Sequence, residues 1–97
     1  MTALQKSVAR FVRKHRLKTD VAHRLLDAAS ELGELSKEFL TGTAYGRKPF
    51  AKSDAWVEEL GDVLSSLLCV ANSTGVDADR AVKLALAKYE RRIRRSG

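Results

Sequence analysis

The sequence predicts an all-α fold, a four-helix-bundle type of domain spanning residues 1–97. Three observations carry that prediction. Apolar residues recur three and four positions apart, the period of an amphipathic helix. The chain holds a single Pro and few β-branched runs, which disfavours sheet. Start and stop signals divide it into four stretches of helical length.

The elements follow in order. Thr2 and Gln5 make a capping-box pattern that opens a first helix over about residues 3–15, striped by Leu4, Val8, Phe11 and Val12. "LKTD" at 17–20 interrupts it. Asp20 caps a second helix that runs to about Leu40. Its stripe is Val21, Leu25, Ala28, Ala29, Leu32, Leu35 and Phe39. "TGTAYGRKP" at 41–49 has two Gly and the only Pro, and is the one clear loop. A third helix begins near Ser53 or Asp54, carries Val57, Leu60, Val63, Leu64, Leu67 and Leu68, and stops at Gly75. Asp77 caps a fourth, which carries Ala81, Leu84 and Tyr89 and ends in "RRIRRSG".

Composition sets the bounds. One Cys excludes an intramolecular disulfide and fits a reducing cytosol. The N-terminus has no apolar stretch of signal type, and no run of about 18 apolar residues occurs. The expected location is cytoplasmic, with no membrane partner. The net charge of +6 is unevenly spread. Residues 1–24 hold 7 Lys or Arg and 1 acid, residues 77–97 hold 7 and 3, and residues 25–76 hold 4 and 8. Basic ends suit phosphate-bearing partners, whereas an acidic centre suits cations.

The acidic centre contains an echo. "ELGEL" at 31–35 returns as "ELGDV" at 59–63, with residues 35–58 between Glu34 and Glu59. At about 3.6 residues per turn, Glu31 and Glu34 share a helix face, as do Glu59 and Asp62. If the two helices pack antiparallel, four carboxylates converge. Like charges so placed repel unless a cation lies between them. Hard oxygen donors suit Mg²⁺ or Mn²⁺; the motifs hold no His and Cys69 stands alone, which disfavours zinc. Gly33 and Gly61 lie about 200° round from the first Glu of each motif, and are expected to permit close helix approach. A lone E-x-x-E is usually a solvated face; two copies, each flanked by apolar residues, are not.

"ELGEL", the 24-residue gap and "ELGDVL" together resemble the E-x-x-E…E-x-x-D pattern of the MazG-like, all-α nucleotide pyrophosphohydrolases. The likeness extends through "LLCVANSTGVD" and "KYERR" and covers roughly residues 21–92. It implies magnesium-dependent cleavage of a nucleoside triphosphate to monophosphate and pyrophosphate, including removal of non-standard nucleotides. It also implies an oligomer, a homodimer or tetramer that completes the bundle. Carried over by position, Glu31, Glu34, Glu59 and Asp62 match the metal ligands. Glu38 and Glu58 flank them as candidates for positioning or deprotonating a water. Lys88, Arg91 and Arg92 match the phosphate-binding end. Ala85 and Tyr89 depart from the pattern, standing where a Lys and an Asn are expected.

The remaining residues read more plainly. Trp56 and Tyr89 are core or interface residues, Phe50 and Tyr45 are loop aromatics able to touch a base, and His15 and His23 are solvated. Cys69 is a small buried hydrophobe. A competing reading is a basic helical module that binds nucleic acid or a protein without catalysis. Sparse aromatics and the absence of a helix-turn-helix signature weigh against it, and such a module has no use for paired acidic motifs. Leu84 and Leu86 point to opposite sides of the fourth helix, so the apolar surface exceeds what one core can cover and an assembly is expected.

Overall fold

The computed structural model describes residues 1–96 and contains four α-helices and no strand among them: α1 (Ala3–Lys14), α2 (Val21–Gly42), α3 (Asp54–Ser73) and α4 (Ala78–Ser96). Each cap read from the sequence forms. Thr2 and Gln5 complete a reciprocal capping box on α1. Asp20 accepts from the backbone N–H of His23, and Ser53 from that of Trp56. Asp77 accepts from the N–H of Arg80 at the start of α4. After α3 the chain turns at Gly75, whose φ of +68° favours a residue without Cβ.

The helices pack through α3. Phe39, late in α2, lies 6.2 Å from Trp56, early in α3, measured between ring centroids. Further along, Glu31 meets Asp62. The two helices are therefore antiparallel, as the echo requires. On another side of α3, α1 runs back along its C-terminal half. Gln5 bonds Asn72, while Val8, Phe11 and Val12 share a cleft with Ser65, Ser66 and Cys69. The α2–α3 end is closed by three rings: Phe39 stacks on Phe50 at 5.3 Å, and Phe50 meets Trp56 edge-on at 4.9 Å.

Among the described residues, only Ala28, Val63 and Cys69 form a buried apolar core. Leu25, Leu32, Leu64 and Leu67 of the expected stripes remain about half exposed or more. The fourth helix makes no extended contact with the others. No residue of α4 is buried, and Ile93 is 71% exposed. The radius of gyration is 16.4 Å, against about 13 Å for a compact chain of this length. The glycines also differ from expectation: no atom lies within 4 Å of where a Cβ would stand at Gly33 or Gly61. Helices α2 and α3 meet through their carboxylate-bearing sides, so the glycine sides, about 200° away, face outward.

One polar side chain ties the ends together. Gln5 is 1% exposed. Its Nε2 donates to the carbonyl of Val76 at 2.8 Å and to Oδ1 of Asn72 at 3.1 Å. Its Oε1 accepts from the N–H of Thr2 at 3.1 Å and of Ala78 at 2.9 Å. Asn72 returns a bond to the carbonyl of Gln5 at 3.0 Å. The capping glutamine of α1 thus also holds the α3–α4 turn and the first residue of α4. Gln5→Leu keeps the volume but strands the Val76 carbonyl, the Ala78 N–H and Oδ1 of Asn72. Urea unfolding at fixed protein concentration should show a loss of about 3 kcal/mol; an unchanged midpoint would remove Gln5 from this role.

Candidate metal and nucleotide site

The acidic cluster grows out of the α2–α3 seam. Packing that buries Ala28 and Val63 turns the neighbouring faces of both helices toward each other, and the i, i+3 acids ride on those faces. Carboxylate oxygens of Glu31, Glu59 and Asp62 come within 4.8 Å of one another. Glu31 and Glu59 are half-buried and Asp62 is exposed. Glu34 and Glu38 stand close enough to act on Glu59 by charge. Loss of hydration and then the like charges of Asp62, Glu31, Glu34 and Glu38 hold the Glu59 carboxyl above its ordinary 4.5.

None of these carboxylates is in an ion pair among the described residues. Among the described residues the ion pairs are Met1–Asp77, His23–Asp20, Lys83–Asp79 and Arg94–Glu90, all elsewhere. Several converging, unpaired, partly desolvated carboxylates are a donor set that fits a hard divalent cation. The fit rests on both the convergence and the missing counter-charge.

The other expected site residues fall into two groups. Glu38 is half-buried beside the cluster, whereas Glu58 is exposed and is not among the charges acting on Glu59. Lys88, Arg91 and Arg92 are exposed on α4, and none lines a cleft described here. Lys88 Nζ lies 5.1 Å from the ring centre of its neighbour Tyr89. His23 is exposed but pairs with Asp20 at 2.7 Å, and the His15 ring lies 4.5 Å from that of Phe11. Cys69 is buried, as expected. Sequence reasoning missed Arg24, Ser65 and Ser66. All three share with Glu31 and Asp62 a cleft of about 630 Å³ walled by α1. The signal was faint: two adjacent serines inside the apolar run of residues 63–71.

The MazG nucleotide pyrophosphohydrolase domain matches residues 20–95. The chain belongs to that family. MazG-family proteins are nucleotide pyrophosphohydrolases and depend on a divalent metal, which agrees with the chemistry of the acidic cluster. Among curated proteins, the uncharacterized protein YpjD of Bacillus subtilis (strain 168) is 37% identical over 65 residues, covering 64% of this chain and 57% of that protein. The chain thus spans little more than half the length of that relative. No solved structure matches significantly. No described helix is long and apolar enough to cross a membrane.

The raised Glu59 carboxyl has a consequence for stability. The native state binds this proton more tightly than the unfolded chain does, so folding gains on acidification and loses as pH rises through the raised value. Removing the charge with Glu59→Gln should therefore raise Tm near pH 7 in chelator-treated protein. The gap to the wild type should narrow as pH falls toward 4.5. Thermal melts across that range are the check. A gap that widens on acidification would contradict the like-charge account.

Proposed function

We propose that the protein hydrolyses nucleoside triphosphates to monophosphates and pyrophosphate, using Mg²⁺ or Mn²⁺ held by Glu31, Glu34, Glu59 and Asp62. The convergence of unpaired carboxylates on two antiparallel helices of a MazG-family chain carries the reading. A bare acidic cluster repels a triphosphate. A divalent cation bound there supplies the positive charge that admits the phosphates and polarises the α-phosphorus. The residues do the rest. The four carboxylates fix where the α-phosphate lies. Glu38, beside the cluster, orients a water and accepts its proton as the oxygen attacks the α-phosphorus and the bond to pyrophosphate breaks. Glu58 is the weaker candidate for that role, because it stands outside the cluster.

The basic residues fit the same scheme through assembly. Lys88, Arg91 and Arg92 lie on a helix that makes no extended contact with the other helices of its own chain. Val82, Leu86 and Ile93 are exposed beside them. A second copy that covers this helix buries its apolar residues and brings the basic end of one chain near the acidic site of the other. Pyrophosphate then leaves toward positive charge. The outward-facing glycines of α2 and α3 offer further sites of close approach between copies. We therefore read the working form as a homodimer or a dimer of dimers, and its setting as the cytoplasm. The base it prefers, including any non-standard one, is a matter for assay.

Pyrophosphate release from a panel of ribo- and deoxyribonucleotides, with Mg²⁺, with Mn²⁺ and with chelator, tests the reaction. Asp62→Asn and Glu34→Gln should each lower the rate at least about a hundredfold with unchanged helical circular dichroism. Full activity in either variant would remove that residue from the site. Light scattering at micromolar concentration tests assembly: a fully active monomer would refute the shared pocket.

A further inference from the structure

The stretch that matches the family begins at residue 20, so α1 lies outside it. Yet α1 forms one wall of the cleft that opens at Glu31 and Asp62. A substrate whose phosphates are held at those carboxylates has two directions along the α2–α3 seam for its nucleoside. One leads to the Phe39–Phe50–Trp56 end. There the rings already pack on one another, and the adjoining hollow, about 370 Å³, is lined by Leu35, Ser36, Phe39, Leu40 and Trp56. The other leads into the α1 cleft of about 630 Å³, within the size range of small-molecule sites.

The chemistry of that cleft suits a nucleoside. Val8 and Phe11 of α1 give an apolar side; the Phe11 ring lies 4.5 Å from that of His15, yet the residue is 57% exposed and keeps ring surface open for stacking. Ser65 and Ser66 of α3 give two hydroxyls, each able to donate and to accept. Arg24 is the one cationic side chain in the lining, and its Nη2 donates to the carbonyl of Leu17, which holds it at the α1–α2 turn. The carboxylates occupy the same cleft, so a phosphate-binding end and an apolar, hydroxylated end are continuous.

We propose that this cleft is the nucleoside subsite and that α1, through Phe11, sets which bases are accepted. The proposal rests on the hydrolytic reading above, because it places the phosphates at Glu31 and Asp62. The base stacks on Phe11. Ser65 and Ser66 hydrogen-bond sugar or base edges. Selectivity is thereby supplied by a helix that the shared family stretch does not include.

Two measurements on the 97-residue chain test it. The first is titration of ¹⁵N-labelled protein with nucleoside 5′-monophosphates, followed by amide shifts. Perturbations at Phe11, Ser65 and Ser66 are expected. Perturbations confined to Phe39, Phe50 and Trp56, or none with any of the common monophosphates, would overturn the subsite. The second is steady-state hydrolysis by Phe11→Ala, whose exposed position leaves the fold intact. KM should rise on the order of tenfold, with kcat little changed and the spread among bases flattened. An unchanged KM and an unchanged order of preference would also overturn it. The two readings fail separately. Shifts in the α1 cleft with no pyrophosphate released from any triphosphate would sink the reaction and leave the subsite standing. Hydrolysis without such shifts would do the reverse.

Discussion

Mutual repulsion among carboxylates is the constraint around which this molecule is arranged. Glu31, Glu34, Glu38, Glu59 and Asp62 gather on one seam, and among the described residues none of them is in an ion pair. Such a seam opposes the packing of α2 on α3, and the apolar contacts must outweigh it. They are few. Ala28 and Val63 are buried beside it, and the three-ring cluster closes one end. The structure has placed its least favourable electrostatics at its most extensive helix contact. A cation held there would offset the repulsion and stabilise the native state by mass action.

Much of this was legible in the sequence, and the reason is locality. Caps and turns depend on residues three or four apart, so Thr2, Asp20, Ser53 and Asp77 could each be read from their neighbours. The acidic site was legible because a motif repeated on two helices states its own geometry. Gln5 was half-read. Its capping role is local, but its bonds to Asn72, Val76 and Ala78 span 67 to 73 residues, and no periodic pattern encodes them. The α1 cleft was missed for the same reason: Phe11, Arg24 and Ser66 become neighbours only when three helices meet. The glycines misled because an open helix face has two explanations, a partner within the chain or one outside it. The angle to the carboxylates fixed the side but not the neighbour.

The apolar surface separates the chain into two regimes. Helices α1 to α3 share a small core and hold the site. The fourth shares almost nothing, although it is well formed in itself, with ion pairs Asp79–Lys83 at 2.9 Å and Glu90–Arg94 at 2.9 Å along its exposed side. Such exposed pairs contribute little each. A helix of this kind keeps its shape through local bonds and takes its direction from wherever it is anchored.

That anchor is one turn of backbone around Gly75 and two hydrogen bonds, at Val76 and Ala78, to one glutamine side chain. Mechanically, α4 is a lever. Its 19 residues extend about 28 Å, so a tilt of about ten degrees at Ala78 displaces the far end by about 5 Å. Lys88, Arg91 and Arg92 lie on the outer half of that arm. An angular error too small to disturb any contact at the pivot is therefore amplified into a misplacement of whole charges at the tip. The stiffness of a buried amide at the base of the arm governs how accurately positive charge is delivered some 20 Å away, a distance of about 13 residues of helix rise.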